Sequence, residues 1–220
     1  MKLSTAEENY LKAIFKISEK AKKSASTNAI AKRLSTSAAS VTDMLKRLAE
    51  KDLINYEKYK GVTLKVEGIK QATQLIRKHR LWEVFLVKKL RFSWDQVHEI
   101  AEQLEHIESV ELIMRLDAFL DYPKFDPHGD PIPNADGKFT IRSQTPLSDM
   151  HKGQEGMLVG VKDNTTEFLK YLNSLNVKLG TIITVIDSVP YDGSMSVNLD
   201  NKKEIMITAV VAQNLLIRKG

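Results

Sequence analysis

The chain has 220 residues, of which 42% are hydrophobic and 28% charged. That composition suits a folded protein of one large domain or two to three small ones, not a disordered chain. There is no cysteine, which excludes disulfides, thiolate metal sites and a cysteine nucleophile, and no apolar run approaches the ~20 residues that cross a bilayer.

Residues 5–20 read as the first helix, with Thr5 and Glu8 as a capping box and Leu11, Ile14, Phe15 and Ile17 as its apolar stripe. A polar break follows at 20–26. Thr27 is then expected to cap a short helix over 28–34, Ser35 to Ser37 to form a turn, and a second helix to run over 38–51 with Val41, Met44, Leu45 and Leu48 buried. Two β-rich runs within 53–66 flank Lys60-Gly61, where glycine permits a positive φ, so a hairpin is expected. Helix, short helix, turn, helix, hairpin is the order of a winged helix-turn-helix. Charge points the same way. Residues 1–80 hold 18 Lys/Arg and 8 Asp/Glu (+10), whereas 81–220 hold 15 and 20 (−5), so the net charge of +5 conceals a basic N-terminal third. A polyanion partner would account for it; solvated helix faces would as well.

A long helix is expected over 67–89, with Ile69, Ala72, Leu75, Ile76 and Leu81 inward. Ser93 would cap another over 94–110, and a third would cover 111–120. Five of the six prolines fall within 121–147, which marks a connector. Strand-like runs follow at 156–161, 181–188, 195–199 and 205–211, with a helix at 166–175 after the first. They describe a small β-barrel-like domain.

His79 and Glu83 are four residues apart on one predicted helix and project from one face. On the next, His98, Glu102, Glu105 and His106 share a stripe of roughly a third of the circumference, beside the apolar Val97, Ala101 and Leu104. Two helices converging with imidazole and carboxylate donors suit Mn²⁺, Fe²⁺, Co²⁺, Ni²⁺ or Zn²⁺. A solvated acidic helix is the plainer alternative. Catalytic signals are weak. His98-Glu99 opens like a zincin helix, but Glu102 stands where the second His belongs. His128 and His151, in predicted loops, are read as local hydrogen-bonding or surface groups.

Several segments together resemble one family. They are Glu8-Asn-Tyr-Leu-Lys-Ala-Ile14, Ser40-Val41-Thr42, Tyr56-Glu-Lys-Tyr-Lys-Gly61, His79-Arg80-Leu81 with Glu83, Glu102-x-x-Glu105-His106, and Asp126-Pro-His-Gly-x-Pro-Ile-Pro133. The set resembles the metal-dependent regulators of the diphtheria toxin repressor type, which include iron sensors and manganese transport regulators. The resemblance implies two metal sites. His79, Glu83 and His98 match one, completed from the C-terminal domain, where Glu167 and Asn164 align. Glu102, Glu105 and His106 match the other, together with a first-helix residue that aligns with Asn9. That residue is Met in iron sensors and Asp in manganese sensors, so Asn9 departs from both. Lys12 stands where two-domain manganese regulators carry a ligating carboxylate. Position 102 is Cys in iron sensors and Glu in manganese sensors, so Glu102 argues for manganese.

The resulting expectation is an α+β chain. It comprises a winged helix-turn-helix DNA-binding domain (1–70), an all-α metal-binding and dimerisation domain (71–140) and a small SH3-like β-barrel (145–220). The expected protein is a cytoplasmic, non-enzymatic, homodimeric repressor of metal-homeostasis genes without membrane contact. Mn²⁺ is the favoured cofactor and Fe²⁺ the alternative ion. On double-stranded operator DNA, Ser37, Ala39, Ser40, Thr42 and Asp43 would face the major groove. Lys46, Arg47, Lys58 and Lys60 would meet phosphate, with Thr27 at the edge of the same surface. Trp94, Val110, Leu112, Ile113, Leu116 and Phe119 would form the dimer contact. The rivals are a winged-helix regulator with an organic effector, and a metallohydrolase with a nucleic-acid-binding appendage.

Overall fold

The computed structural model describes residues 2–21, 23–57 and 60–219. They gather into two compact units. One comprises Met1–His79, Glu102–Ile113 and Pro133–Phe139; the other comprises Arg80–Ala101, Met114–Ile132 and Thr140–Gly220. Among the described residues no helix is long and apolar enough to cross a membrane.

The first unit begins with α1 (Thr5–Ala21), α2 (Thr27–Arg33) and α3 (Ala38–Glu50), followed by β1 (Ile54–Glu57) and β2 (Gly61–Leu64). Leu11 and Ile14 of α1, Ile30 of α2, Val41, Leu45 and Leu48 of α3, and Ile54 and Val62 of the hairpin are all buried in one core. The capping pattern is one residue earlier than expected. Ser4 N–H donates to Glu7 Oε2 (2.9 Å) and Ser4 Oγ accepts from Glu7 N–H (3.3 Å), so the capping box is Ser4 and Glu7. Likewise Ser26, not Thr27, caps α2, and Ser37 caps α3. In the hairpin Ile54 pairs with Leu64 and Glu57 with Gly61. Gly61 has φ +90°, and a Cβ there would sit 2.7 Å from Ser24 Oγ. The supposed polar break carries a single β-bridge to the wing: Ala25 and Val62 exchange both backbone hydrogen bonds at 2.9 Å. This is a winged helix-turn-helix.

Three helices have residues in both units: α4 (Val66–Lys88), α5 (Val97–Leu104) and α6 (Val110–Phe119). Ile69, expected inward, is 42% exposed. The helix expected at 94–110 is only eight residues long. Ser93 N–H donates to Gln96 Oε1 (3.1 Å), which folds 93–96 into a turn, and the Trp94 indole N–H turns away to donate to Asn173 Oδ1 (2.7 Å). At its far end, Ile107 N–H donates to Leu104 O (3.2 Å), so Glu105 and His106 lie in a turn beyond the helix. Of the expected dimer residues, Val110, Leu112 and Phe119 are exposed on α6, but Trp94, Ile113 and Leu116 are buried within the chain.

The second unit carries a six-stranded antiparallel sheet in the order β3-β8-β4-β5-β6-β7. These are β3 (Thr145–Pro146), β4 (Glu155–Val161), β5 (Ile182–Ser188), β6 (Met195–Leu199), β7 (Lys203–Ile207) and β8 (Leu215–Lys219). A 3₁₀ turn (Leu147–Asp149), α7 (Thr166–Ser174) and α8 (Ala209–Asn214) complete this SH3-like β domain. The strand expected at 205–211 ends at Ile207, because Thr208 caps α8 by accepting from Val211 N–H (3.4 Å). Leu147, Leu158, Leu169, Leu172, Ile183, Val197 and Ile217 form the core, with Trp94 added from the segment before α5. The β4–β8 register shifts between Leu158 and Gly160, a bulge that takes Val159 out of the ladder.

Candidate functional site

The expected single stripe His98, Glu102, Glu105 and His106 is divided between two groups of side chains: His98 meets Glu83, Glu102 faces Lys12, and Glu105 and His106 lie in the turn beyond the end of α5 at Leu104. In the first unit the 105–106 turn meets α1. Lys12 Nζ donates to both Glu105 oxygens (2.6 and 2.9 Å), and His79 Nδ1 lies 2.6 Å from Glu105 Oε2. One turn earlier on α1, Glu8 Oε2 lies 2.5 Å from His106 Nδ1. Glu102 Oε1 stands at the margin, 3.9 Å from Lys12 Nζ with its side chain largely exposed. Glu105 is completely buried. Burial alone would raise its carboxyl, but the His79 hydrogen bond and the Lys12 charge together hold it below the ordinary range. Contact from α1 therefore comes from Glu8 and Lys12, while Asn9, the expected donor, is half-buried on the same helix. Glu8 is not the cap that its spacing from Thr5 suggests. With Glu7 in that role, Glu8 is released toward His106.

In the second unit Glu83, Asp126 and His128 are all buried, and each offers a ligand atom within 4.8 Å of the others. Donors ~2.0–2.2 Å from a first-row dication span about that distance, so the set fits one ion. His98 Nδ1 adds a fourth candidate, 3.2 Å from Glu83 Oε1. His128 Nε2 lies 2.8 Å from the Trp94 carbonyl, which can accept its N–H, and its Nδ1 faces Glu83 at 3.7 Å. Such a carbonyl fixes ring orientation and tautomer, as it does behind metal-bound histidines. The loop itself is built by Asp126, whose Oδ1 accepts from the backbone N–H of His128 (2.8 Å) and Asp130 (2.9 Å). Arg142 clamps it to the sheet, donating to Gly129 O (2.9 Å) and to Val159 O (2.7 Å), the carbonyl at the β4 bulge. Val161 N–H donates to His128 O (3.0 Å).

Burial and the nearby Glu83 and Asp130 charges push the Asp126 carboxyl up to about 7. Burial would lower His128, but the hydrogen bond and charge of Glu83, with the Asp126 charge, raise it to about 9. Of the two readings of His128, the hydrogen-bonding one holds and the surface one is corrected: it bonds to the Trp94 carbonyl and is buried among carboxylates. Asp126 belongs to the Pro-His-Gly sequence motif without being an expected donor. Sequence spacing gave no means of bringing it to a helix more than forty residues earlier. Asn164 and Glu167 are exposed at the start of α7, outside the Glu83, Asp126 and His128 group.

On the winged helix, Ser37, Ala39, Ser40, Asp43, Lys46, Arg47 and Lys60 are exposed, and Thr27 and Thr42 are half-buried. Ser37 and Ser40 hydroxyls lie 2.9 Å apart, and Thr42 donates to Ala38 O (2.9 Å). Lys46 pairs with Asp43 (3.5 Å) and Lys60 with Glu57 (2.7 Å), exposed contacts worth ~0–1 kcal/mol that phosphate can replace. Lys58 lies outside the described residues.

Three family descriptions match the chain in order. Residues 2–62 match the iron dependent repressor N-terminal DNA binding domain, residues 66–134 the iron dependent repressor metal binding and dimerisation domain, and residues 145–219 the FeoA domain. An uncharacterised HTH-type transcriptional regulator of Methanocaldococcus jannaschii is 34% identical over 119 residues, 54% of this chain and 95% of that protein. The diphtheria toxin repressor of Corynebacterium jeikeium is 32% identical over 129 residues, 59% of this chain and 53%, about half, of that relative. A solved manganese-dependent transcriptional repressor in complex with manganese superimposes with TM-score 0.82 and 32% identity, covering 97% of this chain and 99% of that one.

Proposed function

Because the chain belongs to the iron-dependent repressor family of metal-regulated transcription factors, we propose that it is a homodimeric repressor that binds operator DNA when it carries a divalent metal, Mn²⁺ in preference to Fe²⁺. Residues 1–70 bind DNA, 71–140 bind metal and dimerise, and 145–220 form the accessory SH3-like domain. Its targets are genes of metal homeostasis, and its place is the cytoplasm, where those genes are. Catalysis is not part of this reading. Glu99, the general base that a zincin-like helix would offer beside His98, is exposed on α5.

The observation that carries the proposal is the junction of α1 with the 105–106 turn through Glu8 and Lys12. The core of the winged helix packs on α1. A change of charge among Glu102, Glu105 and His106 is therefore felt by the helix against which α2 and α3 rest. Glu83, His98, Asp126 and His128 of the second unit hold another ion. When bound, the ion supplies positive charge and directed coordination. The residues supply the coupling, because donors drawn to one point fix the spacing of two recognition helices, and half-sites lie ~34 Å or a multiple apart. Carboxylate and imidazole donors without sulfur favour Mn²⁺. Tighter Zn²⁺ binding in vitro is compatible with this, since the Irving–Williams order governs affinity and not activation.

Fluorescence anisotropy on a labelled promoter fragment tests the proposal. Mn²⁺ is expected to raise affinity and EDTA to reverse it; chelator-insensitive operator binding would favour the organic-effector rival. Phosphate contacts release counterions, so affinity should fall steeply with salt. Removing Arg47 and Lys60 should weaken all DNA sequences alike and reduce the log–log salt slope by about 2. An unchanged slope would remove these residues from the interface.

The raised Asp126 and His128 groups set a pH dependence. Both must lose a proton to ligate. Between pH 9 and 7 one proton, from His128, is released on binding, so Mn²⁺ affinity at this site should fall about tenfold per unit as pH drops. Below about 7 Asp126 is protonated too and the fall should steepen. Calorimetry in buffers of different ionisation enthalpy reads the released protons directly. Affinity independent of pH would remove His128 from the ligand set.

A further inference from the structure

Lys12 is a cation built into the donor cluster of the first unit. Its ammonium lies 2.6 and 2.9 Å from the Glu105 oxygens, 3.4 Å from His79 Nδ1 and 3.9 Å from Glu102 Oε1. Lys12 is 6% exposed and Glu105 not at all. A lysine taken out of water in this way is costly unless a carboxylate compensates it. Here the compensation is complete, since each Glu105 oxygen accepts from the ammonium. His106 Nε2, 3.7 Å from Glu105 Oε1, borders the same point. Carboxylates and imidazoles thus converge on a positive charge carried by the chain itself.

The oxygens that Lys12 occupies are those that a metal at Glu105 would need. A dication and an ammonium cannot share them, because like charges a few ångströms apart in a dry site repel strongly. We propose that Lys12 is a tethered counter-cation that holds Glu105, Glu102 and His79 together in the metal-free protein, and that metal enters this cluster only by displacing it. Lys12 is thereby a specificity-setting residue. It weakens apparent metal affinity by the cost of its own removal, and so sets the metal concentration at which the repressor responds. It also links occupancy to α1, since Lys12 must move relative to Glu105 when the ion arrives. This inference rests on the reading of Glu105 and His106 as metal donors.

Mn²⁺ titration calorimetry on the full chain tests it, comparing wild type with Lys12→Met and Lys12→Arg. Met keeps most of the stem and removes the charge; Arg keeps the charge. Lys12→Met is expected to bind Mn²⁺ at least tenfold tighter, a gain that disappears when His106→Ala is added, while Lys12→Arg shows no gain. The metal-free Met variant should melt at a lower temperature, because the buried Glu105 loses the ammonium that compensates both its oxygens and keeps only the His79 hydrogen bond. A purely structural lysine would give the melting loss without the tighter binding, and equal or weaker Mn²⁺ affinity in a folded Met variant overturns the proposal. Wild type supplies a second measurement that needs no variant to fold. Acetic anhydride labelling, read by peptide mass spectrometry, should modify Lys12 slowly without metal and faster once Mn²⁺ saturates the protein; labelling unchanged on saturation also overturns it. If wild type and Lys12→Met both lack His106-dependent Mn²⁺ binding, the metal reading of this cluster falls, and the inference with it.

Discussion

Replacing His106 with Ala should abolish Mn²⁺-dependent operator binding and leave the fold and the weak, sequence-independent DNA affinity in place. His106 is outside both hydrophobic cores, so its loss opens no large cavity. What it loses is a nitrogen donor and the contact with Glu8 on α1. Even residues behind the ligands commonly change metal affinity by ~10–100-fold, and a ligand itself should exceed that. The exposed Lys46, Arg47 and Lys60 are untouched, so low-salt binding to unrelated DNA should match wild type. Anisotropy with and without Mn²⁺, beside a circular dichroism melt, measures both. A normal Mn²⁺ response in the variant would take His106 out of the mechanism.

Replacing Gly129 with Ala should be the most damaging single methyl in the second unit. The residue has φ +88°, which costs a non-glycine residue of order 1–3 kcal/mol. A Cβ there would lie 2.1 Å from Val159 O and 2.4 Å from Gly160 Cα, both backbone atoms that cannot swing aside. Overpacking of that kind adds ~1–3 kcal/mol. The combined loss, ~2–6 kcal/mol, should lower the melting temperature by roughly 5–25 °C. It should also displace His128 from Glu83, because Gly129 follows His128 in the clamped loop. Gly153 is the control. Its φ is +79° but nothing lies within 4 Å of its Cβ position, so Gly153→Ala incurs the backbone cost without the clash. Equal losses in the two variants would show that the contact with β4 contributes nothing.

Much of this architecture is legible from local pattern. The apolar spacing of Leu11, Ile14, Val41, Leu45 and Leu48 already describes two helices around one core, and all five are buried together. Gly61 marks the hairpin, because only a turn needs its positive φ. Errors arose where a side chain chose between equivalent local partners. Ser4 and Thr5 both precede a glutamate three residues on, and the choice of Ser4 moves Glu8 from cap to site. Ser93 looked like a helix cap, yet Trp94 is drawn into the β core, and no helical period reports a contact with a residue nearly eighty positions away.

The donor set shows the same division. His79 with Glu83, four apart on one helix, could be found from the helical period, and the same period pointed to His98, Glu105 and His106 although the last two lie in a turn. Their sorting into two groups came from the family resemblance and not from the helical period, which does not report that α5 ends at Leu104 and leaves Glu105 and His106 in a turn. Asp126 and His128 reach Glu83 through a loop held by the β4 bulge and Arg142, long-range features that leave no periodic trace. Lys12 was visible as a departure from a ligand position. Only its distances to Glu105 reveal that its charge is satisfied within the cluster.

The central claim is that metal and operator act on the same helix, α1, and so on each other. Coupling of this kind is reciprocal: if Mn²⁺ tightens operator binding by a factor, operator must tighten Mn²⁺ binding by the same factor, typically ~5–150-fold. Calorimetric Mn²⁺ titration of the protein with and without saturating operator duplex measures it directly. The account predicts at least tenfold tighter Mn²⁺ binding on the operator, absent with a scrambled duplex and absent in His106→Ala. Identical Mn²⁺ affinity with and without operator would contradict it.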